Sequence, residues 1–163
     1  MKRNLALQAG IVCITAILIT AGCHRGNKKT AGSANVENDS TKVEVFLKAV
    51  PHEGRMHLEM YNGKHPDKKV IDSLYTDVQP GYTVIWKKAD QSGIKKVDTI
   101  RPVQEGGNIF REEASEIKGL FKLEIPPDAE PGTEKYEIEF TDEEDSTWTV
   151  DPYLRIPLSW GNS

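Results

Sequence analysis

From residue 41 onward, apolar side chains recur at every second position, and this alternation constrains the fold more than any other feature. Val43, Val45, Leu47 and Ala49 alternate with polar neighbours, as do Met56, Leu58 and Met60. The same holds for Tyr82, Val84 and Trp86, for Phe121, Leu123 and Ile125, and for Tyr136, Ile138 and Phe140. A period of two is the mark of a strand that buries one face and wets the other. Further strands are predicted over 70–78, 94–101 and 147–156. The separators are turn formers: Pro51-His52-Glu53-Gly54, Asn62-Gly63, Gln79-Pro80-Gly81, Gln91-Ser92-Gly93, Pro126-Pro127-Asp128 and Glu130-Pro131-Gly132. Seven to eight short strands with recurrent turns predict an all-β, antiparallel two-sheet sandwich. One short helix is predicted over 108–118, capped by Asn108, with Ile109, Phe110, Ala114 and Ile117 as its apolar stripe.

The two cysteines, Cys13 and Cys23, both precede the alternating region. The domain therefore has no disulfide framework, cysteine-based zinc site or thiol nucleophile of its own. The chain carries 21 Lys and Arg against 25 Asp and Glu, a net charge of −4. This acidic balance argues against nucleic-acid partners, which require clustered basic residues.

The N-terminus reads as an address. Met1-Lys2-Arg3 is positive, and Leu5 to Gly22 is apolar apart from Gln8, Thr15 and Thr20. Its most hydrophobic part, 11–19, is shorter than the roughly 20 residues that span a bilayer. Thr20-Ala21-Gly22 and then Cys23 follow. This order resembles the signal peptide and lipobox of bacterial lipoproteins, with Thr20 where such sequences usually carry a large aliphatic. The resemblance implies a signal peptide over 1–22 and acyl chains on Cys23. Each buried acyl methylene contributes about 0.8 kcal/mol, so two or more chains anchor stably. The other two readings are an uncleaved anchor helix over 5–22 and ordinary cleavage near Ala21 that leaves Cys23 free. All three place the remainder outside the cytoplasm. In lipoprotein sorting an Asp after the cysteine signals inner-membrane retention. His24 stands there instead, which by resemblance implies an outer membrane, with the protein facing the periplasm.

Residues 23–41 contain one large aliphatic, Val36, and no aromatic. Such a stretch cannot bury enough apolar surface to offset its ordering entropy, so it is expected to be a flexible tether. The expected organisation is a signal peptide (1–22), a lipidated cysteine with tether (23–41) and a β-sandwich (42–163).

Within the domain, Pro80-Gly81-Tyr82-Thr83-Val84-Ile85-Trp86 and Pro131-Gly132-Thr133-Glu134-Lys135-Tyr136 resemble strand-leading motifs of cupredoxin-like sandwiches, and equally fit immunoglobulin-like ones. The resemblance implies fold only. Blue copper needs a thiolate, and no cysteine follows Cys23 and no histidine follows His65. His52, His57 and His65 lie within fourteen residues. A straight strand rising about 3.3 Å per residue keeps His52 and His65 too far apart to share an ion, so these read as separate surface histidines and no metal is assigned. The acidic run Thr141 to Ser146 lacks calcium-loop spacing and reads as a solvated hairpin turn.

No nucleophile-elbow, metalloprotease, phosphate-loop or dinucleotide motif occurs. Among the aromatics, Trp148 and Tyr153 are candidates for an exposed binding platform, against a role in the core. Pro152 and Pro157 bracket 153–156, which predicts an edge strand or a bulge. The expected function is thus a membrane-anchored envelope lipoprotein. Its sandwich would act without catalysis or cofactor, binding membrane lipid through acylated Cys23 and an envelope protein or glycan through its surface. An envelope hydrolase with an unrecognised carboxylate pair, or a histidine-based metal binder, are the other readings.

Overall fold

The computed structural model describes residues 40–104 and 106–158. The predicted signal peptide, Cys23, most of the tether and Trp160 lie outside them. Eleven strands form two sheets that face one another. In chain order they are β1 (Lys42–His52), β2 (Arg55–Asn62), β3 (Val70–Ile71), β4 (Tyr75–Asp77), β5 (Thr83–Lys88), β6 (Ile94–Pro102), β7 (Ser115–Ile117), β8 (Leu120–Glu124), β9 (Gly132–Asp142), β10 (Thr147–Val150) and β11 (Tyr153–Ile156). The first sheet runs β3-β2-β1-β5-β8-β7. In the second, β6 lines one edge of β9, β10 and β11 pair with its other edge, and β4 lies outside β11.

The all-β sandwich is as the alternation predicts, but it is not purely antiparallel. β1 pairs with β5 in parallel, and so does β11 with β4. The cause is the segment 70–78. Its start pairs with β2 as β3, and it then crosses to the other sheet as β4. The chain returns as β5 alongside β1, running the same way, because parallel neighbours need a crossover between them. The predicted strands over 70–78 and 147–156 are each divided in two, and β7 is additional, which accounts for eleven strands among the described residues where seven to eight are predicted.

The β1–β2 hairpin closes through Glu53 and Gly54, both at positive φ (49° and 76°). This is the two-residue turn whose twist matches that of strands. Its register sets Val50 opposite His57 and His52 opposite Arg55.

The helix predicted over 108–118 is absent. Ile109 and Phe110 are adjacent yet both fully buried, while Ile117 is exposed, so the apolar residues do not share a helical face. The carboxylate of Glu134, on β9, accepts the backbone N–H groups of Asn108, Ile109 (2.8 Å) and Phe110 (2.8 Å). Asn108 does not cap a helix. Its side chain exchanges two hydrogen bonds with the Glu130 backbone. Ala114 N–H then donates to Ile100 of β6, and Ser115–Ile117 pairs with β8. The clamp explains Gly107: a Cβ there would come within 2.5 Å of the Glu134 Oε2.

At the centre of the core, Trp86 from the first sheet and Tyr136 from the second are both fully buried. The indole N–H donates to the Tyr136 hydroxyl at 3.0 Å. Phe110 completes the cluster, with ring centroids 6.2 Å from Trp86 and 5.6 Å from Tyr136. The indole donor thus has an acceptor in an interior where an unpaired one is costly. Burial, the largest influence, pushes the Tyr136 hydroxyl well above the usual phenol range.

Candidate functional site

The exposed face of the second sheet carries the most organised surface chemistry among the described residues. Thr76 and Leu154 point inward and are buried. Their neighbours Tyr75, Asp77, Tyr153 and Arg155 therefore face outward, as a period of two requires. The parallel register sets Tyr153 beside Tyr75 and Arg155 beside Asp77. The two tyrosine rings stack, with centroids 4.7 Å apart and planes 7° from parallel. Tyr75 keeps 51% of its surface exposed.

Beside the stack, the Arg155 guanidinium grips the Asp77 carboxylate through two bonds, Nε–Oδ1 at 2.6 Å and Nη2–Oδ2 at 3.0 Å. It also lies 5.6 Å from the Tyr75 ring centre, within cation–π range. That hydrogen bond, with the charge of Asp77, raises the Arg155 pKa further above its ordinary value. Across the strand Lys135, opposite Tyr153, binds Asp151 at 2.7 Å, which raises the lysine. Clefts border this face on several sides, one of them, of about 650 Å³, lined by Tyr75, Asp77, His65 and Tyr82. Another, of about 340 Å³, is lined by Val103, Gly107, Glu134, Lys135 and Tyr153. A third, of about 730 Å³, is lined by Asp77, Thr133, Arg155, Pro157 and Leu158.

The structure separates the two aromatics singled out in the sequence. Tyr153 belongs to this outer platform. Trp148 pairs with inward-facing Phe140 and packs, half-buried, against the core. Its indole N–H donates to Asp142 Oδ2 at 2.7 Å. Asp142, only 2% exposed, also accepts from the N–H groups of Glu144 and Ser146 through Oδ1, both at 2.9 Å. The hydrogen bond from Ser146 leads the influences that hold its carboxyl below the usual carboxylate range, with those from Trp148 and Glu144 adding to it. The first acid of the run Thr141 to Ser146 therefore organises a turn.

β11 is not an edge strand, since β9 and β4 lie on either side of it; β4 is the edge. Pro152 marks the break between β10 and β11, and its carbonyl accepts the Tyr136 N–H at 3.0 Å.

The three histidines do not converge. His65 lies in the loop after β2, hydrogen-bonded through its backbone to Asn62 and Lys68. His52 and His57, on neighbouring strands, have ring centroids 5.5 Å apart. His57 Nδ1 is hydrogen-bonded to Asp72 Oδ2. Among the described residues no three His, Cys, Asp or Glu side chains form a group that could hold a metal ion.

Sequence reasoning missed Tyr75, Asp77 and Arg155. Alternation about Thr76 and Leu154 could have placed all three outside, but not beside one another, because the pairing of β4 with β11 spans some 78 positions of chain. The chain matches no protein-family model and no curated relative.

Proposed function

We propose that this chain is a lipoprotein of the bacterial envelope, held through acylated Cys23 at the outer membrane and facing the periplasm, whose sandwich binds a glycan on the face carrying Tyr75 and Tyr153. The tethering rests on the order of residues 1–23: positive start, apolar core, small residues, then cysteine. The binding rests on one observation, the stacked tyrosine pair beside the Asp77–Arg155 pair. A sugar ring has an apolar C–H face and a rim of hydroxyls. Tyrosine offers a rigid apolar ring with a polar tip, and planar guanidinium and carboxylate groups supply paired donors and acceptors. Both kinds of group stand together here, preorganised by strand pairing, which lowers the entropy cost of binding.

The test for binding uses the detergent-solubilised full chain, isolated peptidoglycan sacculi and lipopolysaccharide. Tyr75→Ala and Tyr153→Ala should each weaken retention about tenfold or more, as loss of a central aromatic does. Retention by neither material, or retention that survives both substitutions, overturns the glycan reading. For the tether, labelled palmitate should enter the chain and fail to enter Cys23→Ser. Equal labelling of both would remove Cys23 as the anchor.

A further inference from the structure

We propose that His52 and His57, presented side by side on the outer face of the β1–β2 hairpin with Asp72 fixing the second ring, form a binding site for a divalent first-row transition metal. The inference is independent of the glycan reading. The site lies at the end of β1 remote from Lys42, about 33 Å along an eleven-residue strand.

The argument starts with Asp72. This residue sits at φ 57°, in the left-handed region that aspartate tolerates better than most. It is tied to Leu58 of β2 twice: its N–H donates to the Leu58 carbonyl at 2.9 Å, and its Oδ1 accepts the Leu58 N–H at 2.7 Å. Its other oxygen, Oδ2, faces His57 Nδ1. A carboxylate can only accept, so Nδ1 of a neutral His57 must carry the proton. The lone pair then resides on Nε2. A carboxylate bonded to the far nitrogen of an imidazole is the arrangement that orients metal-binding histidines and raises their basicity.

His52 supplies the second nitrogen. Diagonal positions on antiparallel strands lie within reach of long side chains, and the register places His52 and His57 on such a diagonal. Metal–nitrogen bonds of about 2.0–2.1 Å put each imidazole centroid about 3.2 Å from the ion. At a roughly tetrahedral angle two such centroids stand about 5.2 Å apart. The observed separation of 5.5 Å is close to that value, and the pair would share an ion after a rotation of one ring. His52 is free to make it, with 58% of its side chain exposed, whereas His57 is held at 21%. Among the described residues no third His, Cys, Asp or Glu side chain joins the pair, so water oxygens complete the shell. Two imidazoles and oxygen select copper(II), nickel(II) or zinc(II) over magnesium or calcium, with copper(II) bound tighter than zinc(II).

The experiment titrates the full chain with copper(II) sulfate and with zinc(II) chloride, followed by calorimetry and, for copper, by electron paramagnetic resonance. One saturable site per chain is expected, with nitrogen splitting from two imidazoles. His52→Ala and His57→Ala should each weaken binding at least tenfold. Asp72→Asn should weaken it about 10- to 100-fold, as loss of such a partner does. His24→Ala and His65→Ala should leave it unchanged. His52→Ala removes an exposed side chain and keeps the fold, so it decides the matter even if His57→Ala or Asp72→Asn misfolds. No saturable binding, or wild-type affinity and an unaltered copper spectrum in His52→Ala, overturns the proposal.

Discussion

Replacing Glu134 by alanine tests the physical account of the segment 108–114. The wild-type carboxylate accepts three backbone N–H groups, two of them at 2.8 Å. Hydrogen bonds to a charged group contribute about 1.5–3 kcal/mol each. Three left unpaired in a dry interior would cost about 5–9 kcal/mol. Here Glu134 borders a cleft of about 340 Å³, so water can enter and satisfy part of the demand. The expected loss is therefore about 2–4 kcal/mol. With a urea slope of about 1–3 kcal/mol per M, the midpoint should fall by about 0.7–4 M. Fluorescence of buried Trp86 reports the transition, and amide exchange at 108–110 reports the clamp itself. Glu134→Gln is the informative intermediate. Oε1 serves Asn108 and Ile109 while Oε2 serves Phe110, so an amide retains the first pair and turns a donor toward the third. It should lose about half as much. A Glu134→Ala chain within about 0.5 kcal/mol of wild type, with unchanged exchange at 108–110, would refute the reasoning.

Two further outcomes follow from buried polar groups. Tyr136→Phe leaves the Trp86 indole N–H unpaired and should cost about 1–3 kcal/mol in chemical denaturation. Because burial raises the folded phenol above the roughly pH 10 of an unfolded tyrosine, the stability Tyr136 supports is intact below that pH and declines as pH rises beyond it. Tyr136→Phe should flatten this alkaline decline, and an unchanged slope above pH 10 would count against it. Asp142 has the opposite sign: its folded pKa is depressed, so its contribution is complete above about pH 4 and is lost as pH falls through the lower folded value. Asp142→Asn should be destabilising at pH 7 and should reduce the acid slope below pH 4; equal slopes in the two proteins would exclude Asp142 as a source.

How much of this could be read from the chain depended on the range of the determining contact. The strands around Leu47, Leu58, Trp86, Leu123 and Ile138 were legible because burying one face needs only a period of two, a property each segment shows by itself. The segment 108–118 was misread for the same reason. Locally it offers a capping asparagine and helically spaced apolar residues, and what overrides them is Glu134, 24 to 26 positions away. Pro152 signalled a break correctly, yet the neighbour that makes β11 an inner strand is β4, in a distant and very short piece. At the candidate site Tyr153 was legible as an aromatic on a strand. Trp148, one turn of chain earlier, looked equivalent. Register puts it opposite Phe140 on the inner face, where Asp142 holds its indole.

The crossing of 70–78 between sheets links these observations. A strand that stayed beside β2 would place Tyr75 and Asp77 in the first sheet, away from β11. The chain leaves at Asp72, whose positive φ turns the backbone and whose two bonds to Leu58 compensate that conformation. Leaving there has two consequences at once. The Asp72 carboxylate meets His57, and three residues later Tyr75 arrives in parallel register with Tyr153. One corner thus positions both the tyrosine platform and the orienting carboxylate of the histidine pair, although the two lie on opposite sheets. Asparagine at 72 can still accept from Leu58 N–H and occupy the left-handed region, so Asp72→Asn should leave the Tyr75–Tyr153 face in place while removing the acceptor His57 depends on. Glycan retention and metal affinity should therefore separate in that single variant. Their joint loss would mean that the corner, rather than the carboxylate, is what both faces require.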